Sequence, residues 1–165
     1  MPKSFDEILR EYSPALARLA GSYVRDAAER EDLLQEIALA LWQALPTFRG
    51  EASERTFVFR IAHNRALAHR ARRRIVGTEP DEAIEDHAVD PERALAAHQE
   101  GQRLFQAIER LPLASAQVVT LSLEGLSYAE IADVLGISES NVGVRLTRAR
   151  ELLRRLLGVS SNDRR

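Results

Sequence analysis

The residues whose types and spacing suggest chemistry fall into three groups, all suited to holding a partner rather than to making or breaking bonds. Ser140, Asn141, Val144, Arg145, Thr147 and Arg148 recur at helical intervals. Short polar side chains followed by arginines on one helix can enter a major groove and reach base edges and phosphates. Phe48 stands among loop-forming residues, and downstream come Asn64 and the arginines Arg65, Arg70, Arg72, Arg73 and Arg74. An aromatic ring, an amide and an arginine-rich helix suit single-stranded nucleic acid, where stacking and backbone charge supply most of the affinity. Equally, Phe48 could close the junction between two helices as plain core. Asp32, Gln35, Glu36 and Trp42 put carboxylate, amide and indole on one helix, the mixture of a protein-binding face. The alternative there is a core tryptophan with solvated carboxylates.

Bond-making chemistry has little to work with. The chain of 165 residues has no cysteine, hence no disulfide, thiolate metal site or cysteine nucleophile, and the cytosol is the default compartment. His63 and His69, six positions apart, point about 240° from one another on a helix and cannot share a metal. His87 and His98 have no neat ligand set beside them, and Asp81, Glu82, Glu85, Asp86 and Asp90 lack the glycine and spacing of a calcium loop. No catalytic residue, metal or cofactor is expected.

The elements that must position these groups are helices. Apolar residues at Phe5, Ile8, Leu9, Tyr12, Leu16 and Leu19 predict a helix over residues 5–20, with Ser4 as its cap and Glu7 three positions on. A second helix over 28–44 carries Leu33, Leu34, Ile37 and Leu41, and Pro46 stops it. Residues 47–53 read as a loop. Ser53 caps a third helix whose buried side is marked by Phe57, Ile61, Leu67 and Ala68 and which ends in Arg70 to Arg74. Residues 77–91, acidic and holding two prolines, are the best linker candidate. Four more helices follow at 92–111, 114–123, 128–135 and 139–157, punctuated by Pro112, Gly125 and Gly136.

The sharpest local pattern lies near the end. Ser127 and Glu130 form a capping box, Gly136 supplies a turn with positive φ, and Ser138 caps the next helix. That is a helix-turn-helix, with Ala132 small where the helices cross and with Ile131, Leu135, Ile137, Val142 and Leu146 as its core. A helical hairpin with no ligand is the alternative. No stretch alternates as a strand would, and no internal repeat is present. The expected fold is all-α, two small helical domains (residues 1–75 and 96–160) joined by an acidic linker (76–95).

Composition agrees with helices: aromatic residues are 5%, glycines number 8 and prolines 6, while 45% apolar residues suffice for a core. The net charge of −2 hides a segregation, with +6 over residues 49–74, −7 over 75–102 and +3 over 138–157. Two basic islands around an acidic stretch offer two places to meet a polyanion. No run approaches the roughly 20 apolar residues of a membrane span. Asp6, Glu7 and Glu11 stand where a signal peptide would be apolar, so a cytoplasmic protein is expected.

Two stretches resemble the bacterial sigma factors of the extracytoplasmic-function group. Leu111-Pro112 through Val142-Gly143-Val144-Arg145-Leu146-Thr147-Arg148-Ala149-Arg150 is similar to their fourth region, a reader of the minus-thirty-five promoter element. Glu31-Asp32-Leu33-Leu34-Gln35-Glu36, Phe48-Arg49-Gly50-Glu51-Ala52-Ser53 and Arg60-Ile61-Ala62-His63-Asn64 are similar to their second region, which yields the helical bundle of the first domain. The resemblance implies that Asp32, Leu33, Gln35, Glu36 and Trp42 bind the beta-prime clamp helices of core RNA polymerase, and that the fourth region meets the beta flap. It implies that Phe48, Arg49 and Gly50 capture an unstacked base of the minus-ten element, with Arg60, Asn64, Arg65, Arg72 and Arg73 on the same DNA. Ser138, Ser140, Asn141, Val144, Arg145, Thr147 and Arg148 would meet the minus-thirty-five duplex. An anti-sigma factor is a further implied partner, and the acidic linker would follow the RNA path of the polymerase.

The chain departs from the family pattern after Val142, where Gly143-Val144 replaces a lysine or arginine followed by serine. The phosphate contact that the family pattern implies is lost there, and a glycine enters the recognition helix at a cost of roughly 1 kcal/mol unless it admits a closer approach to DNA. Phe57 stands where tryptophan is frequent. The alternative function is a stand-alone helix-turn-helix regulator that binds duplex DNA without polymerase; the +6 segment of residues 49–74 argues against it. An enzyme and an anti-sigma adaptor are weaker rivals.

Overall fold

The computed structural model describes residues 3–76 and 99–158. All regular structure among them is helical: α1 (Phe5–Tyr23), α2 (Ala27–Ala44), a 3-10 turn (Leu45–Thr47), α3 (Glu54–Ile75), α4 (Gln99–Glu109), α5 (Leu113–Leu123), α6 (Tyr128–Leu135) and α7 (Glu139–Leu156). The starts follow from their caps. Ser4 and Glu7 form a capping box on α1, Asp26 accepts from the Glu29 N–H at 2.9 Å, and Ser53 accepts from the Thr56 N–H at 3.0 Å. A second box, Ser127 with Glu130, opens α6, and Ser138 accepts from the Asn141 N–H at 3.1 Å. Each cap satisfies a backbone donor that the helix itself cannot, worth about 1 kcal/mol. Gly136 ends α6 at φ +67°, and the Ile137 N–H closes the turn on the Ala132 carbonyl at 3.1 Å.

Several elements depart from the expected bounds. α1 passes through Pro14 and continues to Tyr23, because Ala15, Leu16, Leu19 and Ala20 beyond the proline are buried and outweigh the backbone bond it removes. Thr47 belongs to the 3-10 turn rather than to the loop. The buried side of α3 is corrected: Phe57 and Ile61 are only half-buried and Leu67 and Ala68 are exposed, while Thr56, Val58, Phe59, Ala62, His63, Ala66 and His69 face inward. Large apolar residues alone misplace the stripe because polar side chains with partners share the buried face. In the helix-turn-helix, Ile131, Val142 and Leu146 are buried as expected; Val134 joins them, and Leu135 and Ile137 are half-buried.

The helices form two groups, α1 to α3 and α4 to α7, and the groups pack on one another: α5 lies on α1 and α6 on α3. One buried core runs through both, from Ile8, Leu33 and Phe59 to Leu121, Ile131 and Leu146. Tyr12 meets Phe59 edge to face at 6.2 Å within it. The expected linker and the 92–98 part of the fourth predicted helix lie outside the described residues, as do His87, His98 and the carboxylates from Asp81 to Asp90.

Polar bonds line the seam between the groups. Arg18 reaches Glu124 at 2.9 Å, Arg30 reaches Glu109 at 3.2 Å, and Arg55 donates to the Gly125 carbonyl at 3.0 Å. Deeper in, the Tyr23 hydroxyl is hydrogen-bonded to His63 Nδ1 and accepts from the Gln117 amide, joining α1, α3 and α5 through three buried side chains. Burial lowers the His63 pKa from 6.5 to about 4 and raises that of Tyr23.

A histidine with a depressed folded pKa binds more protons unfolded than folded, so its contribution is complete above pH 6.5 and falls as pH drops towards 4. The carboxylates with lowered pKa values, Glu7, Glu36 and Glu130, act only below their ordinary value of 4.5. Urea unfolding should therefore show stability declining from pH 6.5 to 5, and His63→Gln should flatten that decline; an unchanged slope in the variant would remove His63 as its source.

Candidate nucleic-acid and polymerase interfaces

α7 is built from an inner and an outer stripe. Val142, Leu146 and Ala149 are buried, which turns Ser140, Asn141, Val144, Thr147 and Arg148 outward, all exposed, with Ser138 exposed at the cap. Arg145 is half-buried, and its Nε donates to Asn141 Oδ1 at 3.2 Å. The Thr147 hydroxyl donates back to the Gly143 carbonyl at 3.0 Å. Arg148 has no hydrogen bond or ion pair among the described residues and is free for an anion. Nothing in the fold demands glycine at 143, since a Cβ there would meet the Tyr128 ring at 3.6 Å, an ordinary contact.

In the first group the side chains divide less evenly. Leu33 is fully buried and belongs to the core of the bundle, so it cannot line the polymerase-binding face expected of it and supports that stretch from behind. Asp32 and Gln35 are exposed, and Trp42 is 60% exposed, which excludes the core alternative. Leu39, 55% exposed on the same side, is a residue that sequence reasoning missed; its spacing from Asp32, Gln35 and Trp42 was the available signal. Glu36 faces α3, where Arg72 holds both its oxygens at 2.8 and 2.6 Å and His69 Nδ1 lies at 3.1 Å. Burial would raise its pKa, but the bonds from Arg72 and His69 outweigh that and hold it below the usual value.

Three of the expected minus-ten residues are already engaged. Arg72 pairs with Glu36, Arg73 with Glu29, and Arg60 with Asp133 of α6 across the seam. Arg49, Arg65 and Arg74 have no partner among the described residues. Phe48 is half-buried and stacks on Phe57, ring centres 4.6 Å apart at 39°, while sharing a groove with Lys3, Phe5 and the exposed Trp42. Gly50 has φ +74°, which keeps the loop after Phe48 open to glycine and strained for other residues. Asn64 and Arg65 line a second groove, between α2 and α3, floored by Ala40, Ala44 and Ala68. Gln43 lines it too, a second amide missed in the sequence because it lies on α2 and meets Asn64 only once the helices pack.

Comparison with known proteins agrees with this division into two units. Residues 8–75 match the family model for sigma-70 region 2, and residues 101–153 match that for sigma-70 region 4. The RNA polymerase sigma-H factor of Pseudomonas aeruginosa is 35% identical, over 94% of this chain and 86% of its own length. The ECF RNA polymerase sigma-E factor of Escherichia coli K12 is 31% identical over 92% and 85%. Among solved structures, the sigma factor RpoE of Bartonella quintana, in complex with the anti-sigma factor NepR, aligns over 97% of this chain and 98% of its own with a TM-score of 0.72 at 26% identity. CnrH, in complex with the cytosolic domain of CnrY, aligns over 95% and 89% with a TM-score of 0.64 at 28% identity. The chain belongs to the extracytoplasmic-function group of sigma-70 factors, the promoter-specificity subunits of bacterial RNA polymerase.

The geometry at Gly143 decides one question left by the family comparison. Gly143→Ala should stabilise α7 by about 1 kcal/mol and raise the melting temperature by about 2 to 4 °C. A calorimetric scan showing a lower melting temperature would mean that the packing against Tyr128 is tighter than its distance implies.

Proposed function

We propose that this sigma factor reads the two promoter elements with separate surfaces: the outer stripe of α7 on the minus-thirty-five duplex, and the Phe48 loop with the groove of Asn64 and Arg65 on the melted minus-ten strand. The exposed polar stripe of α7, set on a helix-turn-helix and ending in the unpaired Arg148, is the observation that carries the reading. Ser138, Ser140, Asn141, Val144, Arg145 and Thr147 complete that face. Phe48 and Gly50 form the capture loop with Arg49, while Arg60, Arg72 and Arg73 reach phosphates only after leaving their present carboxylates. Asp32, Gln35, Leu39 and Trp42 present the face for the beta-prime clamp helices, with Glu36 at its edge, and the beta flap meets the second unit. Units 1–75 and 96–160 are joined by the linker at 76–95.

The chain works in the cytoplasm and carries no catalytic activity, metal or cofactor of its own; the bonds are made by the polymerase. An anti-sigma factor is a proposed partner, supported by the solved RpoE of Bartonella quintana, which is in complex with the anti-sigma factor NepR. No helix among the described residues is long and apolar enough to cross a membrane.

Run-off transcription from a pool of promoter fragments, with and without this protein added to bacterial core polymerase, tests the reading. Discrete protein-dependent transcripts are expected; their absence, together with duplex binding that needs no polymerase, would favour a stand-alone regulator. Arg148→Ala should weaken promoter binding by about 1 to 3 kcal/mol if its guanidinium reaches a base, and undiminished binding would remove that assignment. Phe48→Ala should spare binding to duplex promoter yet depress permanganate reactivity of the minus-ten thymines; full reactivity would return Phe48 to a packing role against Phe57.

A further inference from the structure

At the centre of the outer stripe of α7 stands an apolar side chain. Val144 is 47% exposed, and its neighbours at three and four positions, Ser140, Asn141, Thr147 and Arg148, are all exposed and polar. Val142 and Leu146, two positions either side, are buried, which sets Val144 opposite the core and excludes a packing role for it within this fold.

The side chains around it extend that apolar spot. The Thr147 hydroxyl proton is committed to the Gly143 carbonyl at 3.0 Å, so Thr147 cannot donate to a base without giving up that bond, and its methyl remains. Asn141 Oδ1 already accepts from Arg145 Nε at 3.2 Å. Residue 143 has no side chain, so none rises from that position to cover Val144 or to hold a base edge away from it.

In the major groove only thymine offers a methyl group; the other edges present hydrogen-bonding groups that an isopropyl group would desolvate without replacement. We propose that Val144, with the methyl of Thr147 beside it, reads the 5-methyl of one thymine in the minus-thirty-five element. This inference rests on the assignment of α7 to that element. It accounts for Gly143-Val144 as a pair: the phosphate contact of a long basic side chain is replaced by apolar readout of a base. Burying one methyl is worth about 0.8 kcal/mol, close to fourfold in affinity.

The test uses the full chain with core polymerase on a promoter recovered from the pool. Each thymine of the minus-thirty-five element is replaced in turn by deoxyuridine, which keeps every hydrogen-bonding group and removes only the methyl. At one position the apparent dissociation constant should rise about fourfold for the wild-type protein, and Val144→Ala should bind the thymine and uracil promoters alike. Circular dichroism of Val144→Ala, whose side chain is exposed, checks that α7 is intact. If no thymine shows a uracil penalty, or if the penalty survives Val144→Ala, the proposal is overturned while transcription itself leaves the sigma assignment standing. If no promoter in the pool is transcribed, the sigma reading fails and the proposal with it.

Discussion

Glu130 accepts the Ser127 backbone N–H at 2.8 Å and lies 3.0 and 3.3 Å from the hydroxyls of Ser53 and Thr56, so the first turns of α6 and α3 share one carboxylate. Both turns are helix N-termini, each carrying partial positive charge from unpaired N–H groups. Two such ends repel when brought together unless an anion sits between them. The Ser127 N–H, helped by the hydroxyls of Ser53, Ser127 and Thr56, holds the Glu130 carboxyl below its usual pKa against the opposing effect of burial, which keeps the anion in place. The register of α6 on α3 follows, and with it the placing of Asp133 against Arg60 and of Gly125 against Arg55.

That seam is unequal in strength along its length. The Arg60 and Asp133 side chains are 40% and 52% exposed, and exposed pairs contribute roughly 0 to 1 kcal/mol. The Tyr23, His63 and Gln117 chain is buried and satisfied, and breaking it strands polar groups at a cost of about 1 to 3 kcal/mol each. The rim can therefore exchange partners while the centre holds. A DNA phosphate would compete for Arg60 against a single half-exposed carboxylate, a small barrier to the engagement proposed for it. Separating the helix groups altogether requires breaking the buried Gln117 bond to Tyr23 and hydrating a shared apolar core, which is a large one.

Much of this architecture was legible because it depends on local signals. The caps at Ser4, Ser53, Ser127 and Ser138 and the left-handed Gly136 are written in residues next to the turns they make, and they place α6 and α7 within a residue of their expected bounds. The inward face of α3 was not legible, because Thr56, His63 and His69 earn burial through partners on α2, α1 and α6 that are distant in sequence. The same limit hid the pairing of Arg72 with Glu36 and of Arg73 with Glu29. A run of arginines reads as a nucleic-acid face from sequence alone; only packing reveals which of them already have a counter-ion. Leu33 shows the converse, a residue inside an interface motif whose side chain is core.

The charges of the two helices proposed to face DNA consequently work differently. On α3, Arg60, Arg72 and Arg73 are neutralised by acidic groups of neighbouring helices, so a bare electrostatic count over residues 49–74 overstates the field that a polyanion meets. On α7 the unpaired Arg148 sits beside an uncharged stripe that can meet a partner without first dissolving an ion pair. On the proposed assignment a duplex on α7 would exchange only water and counter-ions, as would a strand at Arg65 and Arg74 of α3, whereas Arg60, Arg72 and Arg73 would also have to give up a carboxylate. On that assignment the two encounters differ in cost: the outer stripe of α7 is ready as it stands, whereas Arg60, Arg72 and Arg73 of α3 become available to DNA phosphates only as Asp133, Glu36 and Glu29 are displaced.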